Sequence, residues 1–182
     1  MRYTNHMKFV IPDVVASQFH LREGDKVGDF GAGSGFFIKI LSDLVGSEGR
    51  VYACEIQKVL VDKLGDQVRL QGLDNVELLW CDLEEANASK IATDTLDAGI
   101  MVNTLYQFEE REAAAVEIRR ILRTGGKLMI VDWSETVPGL GPTPDRLLTQ
   151  DDCKALFESH GFIFERDFPA GEHHYGLAFR AV

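Results

Sequence analysis

The 182-residue sequence predicts an α/β fold, with one mostly parallel sheet covered by helices on both faces. Three observations carry that expectation. Strand-like and helix-like runs alternate five times from Lys26 onward. The first strand-like run leads straight into Asp29-Phe30-Gly31-Ala32-Gly33-Ser34-Gly35, a glycine-rich strand-to-helix turn. The chain then closes on two strand-like runs around Pro169-Ala170-Gly171, which forces one antiparallel strand.

Taken in order, Pro12 to His20 reads as a short leading helix, with Pro in its first turn and Val14, Val15 and Phe19 on its apolar side. Lys26 to Phe30 is the first strand. Phe36, Phe37, Ile40, Leu41, Leu44 and Val45 recur with helical spacing, and Gly46 closes that helix. Arg50 to Glu55 is the second strand, and Gln57 to Leu70 a weaker helix interrupted by Gly65. Val76 to Cys81 and Leu96 to Asn103 are the third and fourth strands. Glu109 to Arg123 is an amphipathic helix whose acids lie in the first turn and whose arginines lie near the end, as the helix dipole favours. Thr124-Gly125-Gly126 stops it, and Lys127 to Trp133 is the fifth strand. Val137 to Asp145, rich in Pro and Gly, is a surface loop. Thr149 caps a last helix that runs to Gly161, before the closing strands Phe162 to Phe168 and Glu172 to Ala181.

Composition narrows the function. The formal net charge is −10, so phosphate backbones and anionic lipid are repelled and neither nucleic acid nor a membrane is expected as partner. Cys54, Cys81 and Cys153 are scattered and odd in number, which reads as reduced thiols in a cytoplasmic protein. No apolar run approaches the roughly 20 residues of a membrane span, and the first seven residues lack the apolar core of a signal peptide.

In open parallel sheets, ligands bind beyond the carboxyl ends of the strands. The glycine turn lies there, where a backbone without Cβ atoms lets a ligand approach. A dinucleotide site asks for a third glycine where this chain has Phe36, and Asp29 is a poor neighbour for a pyrophosphate. A ligand with a cationic or zwitterionic tail suits Asp29 better. Glu55, 22 residues after Gly33, is either a ribose-binding carboxylate or a solvated strand-end acid. Asp82 is either an adenine acceptor, with Leu83 covering the ring, or a helix cap.

With these residues in order, residues 24 to 182 resemble the class I S-adenosylmethionine-dependent methyltransferases. The matching segments are the Asp29-x-Gly31-x-Gly33-x-Gly35 turn, Glu55, Cys81-Asp82-Leu83, Asn103-Thr104-Leu105-Tyr106 and Leu122-Arg123-Thr124-Gly125-Gly126-Lys127-Leu128. The small-molecule, quinone-methyltransferase-like enzymes are nearest in character. The resemblance implies a Rossmann-like three-layer sandwich with seven strands in the order 3-2-1-4-5-7-6, strand seven being antiparallel. It implies S-adenosylmethionine as cofactor and S-adenosylhomocysteine as product. Asp29, Gly31, Ala32, Gly33, Ser34 and Gly35 then hold the methionine part, Glu55 and Ile56 the ribose side, and Cys81, Asp82 and Leu83 the adenine, with Asn103 completing the cofactor site.

The acceptor is expected to be a small molecule, placed from the remaining strand ends. His174 and Tyr106 are the catalytic candidates, and His173, Tyr175 and Trp133 the substrate candidates; packing or surface roles for the histidines stand beside that reading. Alternation puts His173 and Tyr175 on one face and His174 on the other. No metal is expected, because His173 and His174 diverge and the fourth strand ends in Asn103 where the metal-dependent catechol-type enzymes carry an acid. The chain is read as one domain, 1–182, with 1–23 as a helix and lid (Tyr3, Asn5 and His6 included) and 24–182 as core; a homodimer is left open. Three other readings compete: a methyltransferase acting on protein or completed by another subunit, a non-catalytic S-adenosylmethionine-binding protein, and a nicotinamide dehydrogenase.

Overall fold

The computed structural model describes Val10 and residues 12–182. The lid residues Tyr3, Asn5 and His6 lie outside them. Seven strands form one sheet in the order β3-β2-β1-β4-β5-β7-β6. The strands are β1 (Lys26–Phe30), β2 (Arg50–Glu55), β3 (Val76–Trp80), β4 (Leu96–Val102), β5 (Leu122–Trp133), β6 (Phe162–Pro169) and β7 (His174–Ala181). Strands β1 to β5 pair in parallel, while β7 runs antiparallel to both β5 and β6. The helices are α1 (Pro12–Ser17), α2 (Ile38–Val45), α3 (Lys58–Gln71), α4 (Arg111–Ile121) and α5 (Gln150–Glu158).

Side-chain alternation along the strands builds two core layers. On one face Val27, Val51, Ile100 and Met129 pack with Val15, Phe19, Phe37, Leu41 and Val45, and a smaller cluster seats Ile38 and Leu64 near β2. On the other face Phe30, Met101, Ile130 and Phe179 pack with Ile118, Ile121, Cys153 and Phe157 of α4 and α5. The sheet is thus the middle of three layers, as the resemblance implies. Among the described residues, no helix is long and apolar enough to cross a membrane.

Several boundaries differ from those read in the sequence. Helix α1 ends at Ser17, not His20, and α2 begins at Ile38, so Phe36 precedes it and stands 74% exposed. Helix α3 continues through Gly65, since one glycine costs only about 1 kcal/mol among good helix formers. Helix α4 begins at Arg111, so Glu109 and Glu110 precede its first turn, and ends at Ile121. Leu122 already pairs with Leu96, after which the register slips to Ala98 opposite Lys127. Gly125, at φ +80°, allows that irregularity. Thr149 does cap α5, its side chain accepting from the Asp152 N–H at 3.1 Å, but the helix stops at Glu158.

Candidate active site

A cavity of about 510 Å³ opens at the carboxyl tips of β1, β2, β3 and β4. Its floor is the turn after β1. The Gly31 and Ala32 N–H groups both donate to the Cys54 carbonyl at 2.9 Å, which draws the turn against the tip of β2. Gly31 (φ +82°) and Gly33 (φ +55°) hold left-handed backbone. A Cβ on Gly31 would lie 2.4 Å from Thr104 Cγ2, so the turn passes directly against the segment after β4. A Cβ on Gly33 would meet only the Gly31 carbonyl, at 3.9 Å.

Two of the carboxylates that line this cavity, Asp29 of β1 and Glu55 of β2, differ in their bonding. Glu55 is buried, and both its oxygens accept backbone N–H groups: Oε2 from Gly33 at 2.9 Å and Oε1 from Gln57 at 2.8 Å. Asp29 is 3% exposed, and its Oδ2 has no hydrogen-bond partner among the described residues. Burial, and then the nearby negative charge of Glu55, push the Asp29 carboxyl up from 3.8 to about 7. A buried carboxylate oxygen without a donor is costly unless a ligand supplies one.

At the next tips, Asp82 Oδ1 accepts from the Glu84 N–H at 2.9 Å, so it caps the turn after β3 while still lining the cavity. Cys81 and Leu83 are buried beside it. The β3–β4 connection is anchored from beneath by Glu117, which accepts from Ser89 Oγ at 2.6 Å, from the Asn87 N–H at 3.1 Å and from Arg120 at 2.7 Å. Asn103 follows β4 at φ +54°, and its Oδ1 has no partner among the described residues.

The cavity therefore brings together Asp29, Gly31, Ala32, Gly33, Ser34, Glu55, Ile56, Cys81, Asp82, Leu83 and Asn103. Gly35 is not in its lining; a Cβ there would lie 2.6 Å from Leu64, so this glycine lets α3 approach. Tyr106, Trp133, His173, His174 and Tyr175 are also outside the lining. The His174 ring lies 4.3 Å from that of Trp133, and its Nδ1 contacts the Glu172 carbonyl at 2.7 Å. His173 Nδ1 meets Glu135 at 2.8 Å. Tyr175 points into the α4/α5 core beside Cys153. The sheet order explains the distance of His173, His174 and Tyr175: β5 stands between β4 and β7, and neighbouring strands are about 4.8 Å apart.

Residues that the sequence did not single out complete the walls: Phe37, Leu60, Gln107 and Phe108, with the exposed Phe36 at the rim. Phe36 and Phe37 read in the sequence as one stripe of a helix core. Gln107 and Phe108 follow the Asn103-Thr104-Leu105-Tyr106 segment directly, which was the only signal for them.

Comparison with known proteins agrees with this architecture. Residues 21–161 match the methyltransferase domain family, and the chain belongs to it. It is 27% identical over 149 residues to an arsenite methyltransferase from Halobacterium salinarum, covering 76% of this chain and 37% of that protein. It is 29% identical over 128 residues to the ubiquinone/menaquinone biosynthesis C-methyltransferase UbiE of Legionella pneumophila, covering 69% and 50%. The chain thus spans half or less of the length of both relatives. A crystal structure of a SAM-dependent methyltransferase from Aquifex aeolicus superposes with a TM-score of 0.87 at 27% identity, covering 98% of this chain and 94% of that one. The family is that of the class I S-adenosylmethionine-dependent methyltransferases.

Proposed function

We propose that this chain transfers a methyl group from S-adenosylmethionine to a small-molecule acceptor, leaving S-adenosylhomocysteine. The observation that carries the reading is the unpartnered Asp29 Oδ2 beside the glycine turn. The donor's ammonium group supplies both the charge and the N–H donors that this buried carboxylate lacks. Glu55 keeps lone pairs for the ribose hydroxyls after accepting from Gly33 and Gln57. Asp82 and Leu83 suit the adenine, with Ile56 at the sugar edge and Asn103 toward the methionine end. The residues present thus fit the donor.

The bound donor supplies a methyl group on a positively charged sulfur, activated without help from a protein acid. The work of the chain is then to hold the acceptor in line with that methyl, for which orientation alone contributes several kcal/mol. Phe36, Phe37, Val102 and Phe108 form an apolar wall of the cavity that suits a flat, uncharged acceptor, in keeping with the quinone named for one relative. His174 and Tyr106 remain the candidates for a base, and His173, Tyr175 and Trp133 for outer acceptor contacts, if an acceptor reaches beyond the cavity. We assign the cytoplasm as compartment, where the three buried free thiols stay reduced. We read residues 24–182 as the core of a single domain.

Calorimetric titration with S-adenosylhomocysteine and NADH side by side tests the donor; preference for NADH overturns the reading. Incubation with methyl-labelled donor and a panel of quinols, phenols and arsenite tests the acceptor class. Label recovered in protein instead of small molecules sinks the small-molecule reading. His174→Ala, assayed across pH 6 to 8, tests the base: unchanged turnover removes His174 from the chemistry.

A further inference from the structure

The segment between β4 and α4 forms the β4-side wall of the cavity through Asn103, Thr104, Gln107 and Phe108. Its centre is a single 3-10 turn, Leu105–Gln107. Such a turn exposes N–H groups at its start that need acceptors. Thr104, at the N-cap, does not provide one; its hydroxyl donates back to the Val102 carbonyl at 3.0 Å.

The missing acceptor comes from the neighbouring strand. Asp132, near the end of β5 and 1% exposed, accepts from the Tyr106 N–H at 3.2 Å and also from the Leu105 N–H. Its other oxygen accepts from the Trp133 N–H at 2.8 Å. From the opposite side, Arg111 at the start of α4 donates to the Leu105 carbonyl at 3.3 Å, and its Nη2 approaches the Tyr106 carbonyl at 3.5 Å. The same guanidinium donates to the Arg146 carbonyl at 2.8 Å, tying the turn to the segment before α5. The N–H groups of Leu105 and Tyr106 are thus held by one charged residue, and their carbonyls by another of opposite sign.

We propose that Asp132 and Arg111 are positioning residues that grip the Leu105–Gln107 turn from its two sides and so present Asn103 and Gln107 to the ligand in the cavity. The proposal rests on the reading of that cavity as the donor site. Neither residue lines the cavity, so each acts on it through the turn. What they fix is the direction of Asn103 Oδ1, buried without a partner among the described residues, and of Gln107, whose amide donates to the Asn103 carbonyl at 2.7 Å.

The grip depends on the charge of Asp132. The groups facing it are Tyr106 on the turn, Arg111 of α4, Cys153 of α5 and Tyr175 of β7. Burial pushes its carboxyl up from 3.8 to about 6, against the pull of the backbone N–H groups and of Arg111. Below about pH 6 the grip weakens, because a protonated carboxyl is a poorer acceptor for N–H groups.

The test combines hydrogen exchange with S-adenosylhomocysteine binding in wild type, Asp132→Ala, Asp132→Asn and Arg111→Gln. In Asp132→Ala we expect the Leu105 and Tyr106 amides to exchange at least tenfold faster, while the amides of Gly31 and Ala32 keep wild-type protection. S-adenosylhomocysteine affinity falls tenfold or more, and Asp132→Asn restores part of it because its carbonyl accepts one N–H. Wild type loses the same two protections between pH 7 and pH 5, after correction for intrinsic exchange, and Asp132→Asn shows no such step. Should Asp132→Ala fail to fold, Arg111→Gln carries the same expectation for the turn. Wild-type protection in both variants overturns the grip, and faster exchange with affinity unchanged within twofold overturns the positioning role. A wild-type chain that binds no S-adenosylhomocysteine overturns the donor reading and the positioning role with it.

Discussion

Replacing Asp29 by Asn exposes the conflict between binding and stability at the centre of the site. The Asp29 carboxyl is raised from 3.8 to about 7, chiefly by burial. The folded chain therefore holds this proton more tightly than the unfolded chain does. The stability contributed by Asp29 is full below the unfolded value and is lost as pH rises through about 7. At pH 8 the ionised group costs about 4 kcal/mol, an upper figure that ligand-free relaxation reduces. The Asn variant removes that cost but brings a buried amide that needs partners of its own, worth about 1–3 kcal/mol. The net gain at pH 8 is then about 2 kcal/mol, which for a chain of this size raises the melting temperature by about 4–8 °C. Thermal melts of ligand-free wild type and Asp29→Asn from pH 5 to 8.5, followed by near-ultraviolet circular dichroism, measure this directly. Wild type should lose stability between pH 5 and pH 8 more steeply than the variant. S-adenosylhomocysteine titrated into the same samples should stabilise wild type at pH 8 and leave the variant unmoved. A variant that melts at or below wild type at pH 8, with the same pH slope, would falsify the account of Asp29 as an unsatisfied buried carboxylate.

Four further perturbations separate the parts of the site. Gly33→Ala places a methyl group in open space at φ +55°, so it should cost about 1 kcal/mol of stability yet reduce S-adenosylhomocysteine affinity tenfold by calorimetry. Gly31→Ala drives a methyl group into Thr104 at 2.4 Å and should lower the melting temperature by more than Gly33→Ala does. Glu117→Ala removes the anchor of the β3–β4 connection and leaves Arg120 without its carboxylate, at about 2–4 kcal/mol in urea unfolding. Burial alone would raise the Glu117 carboxyl, but its bonds to Arg120, Ser89 and Asn87 outweigh that and lower it, so its contribution is full above the ordinary glutamate value and fades as pH falls through the lowered folded one. Phe36→Ala, at a rim position 74% exposed, should leave the urea midpoint nearly unchanged and raise the acceptor KM severalfold.

What the sequence disclosed followed the range of the interactions involved. Strands β1 and β2 were legible to the residue because apolar runs and turns mark them locally. The glycine turn, Glu55 and Cys81-Asp82-Leu83 were legible because each sits where one strand ends. The start of β5 was not, since Leu122 turns extended only through pairing with Leu96, 26 residues earlier. Phe36 looked like core because its spacing matched the helix that follows, and only the true start of α2 at Ile38 turns it outward. The role of Asp132 was hidden for the same reason: its partner Tyr106 N–H lies 26 residues upstream, on a turn with no side-chain cap of its own. The distance of β7 from the cavity followed from the strand order, but depended on how far the cavity spreads, which local pattern does not reveal.

The carboxylate of Glu55 already straps Gly33 to Gln57 before any sugar arrives. The turn after β1 and the tip of β2 are therefore already joined in the folded chain, and under the proposed donor reading a nucleoside docks without waiting for a loop to fold over its ribose. Analogues altered at the sugar should enter at similar speeds and differ mainly in how long they stay.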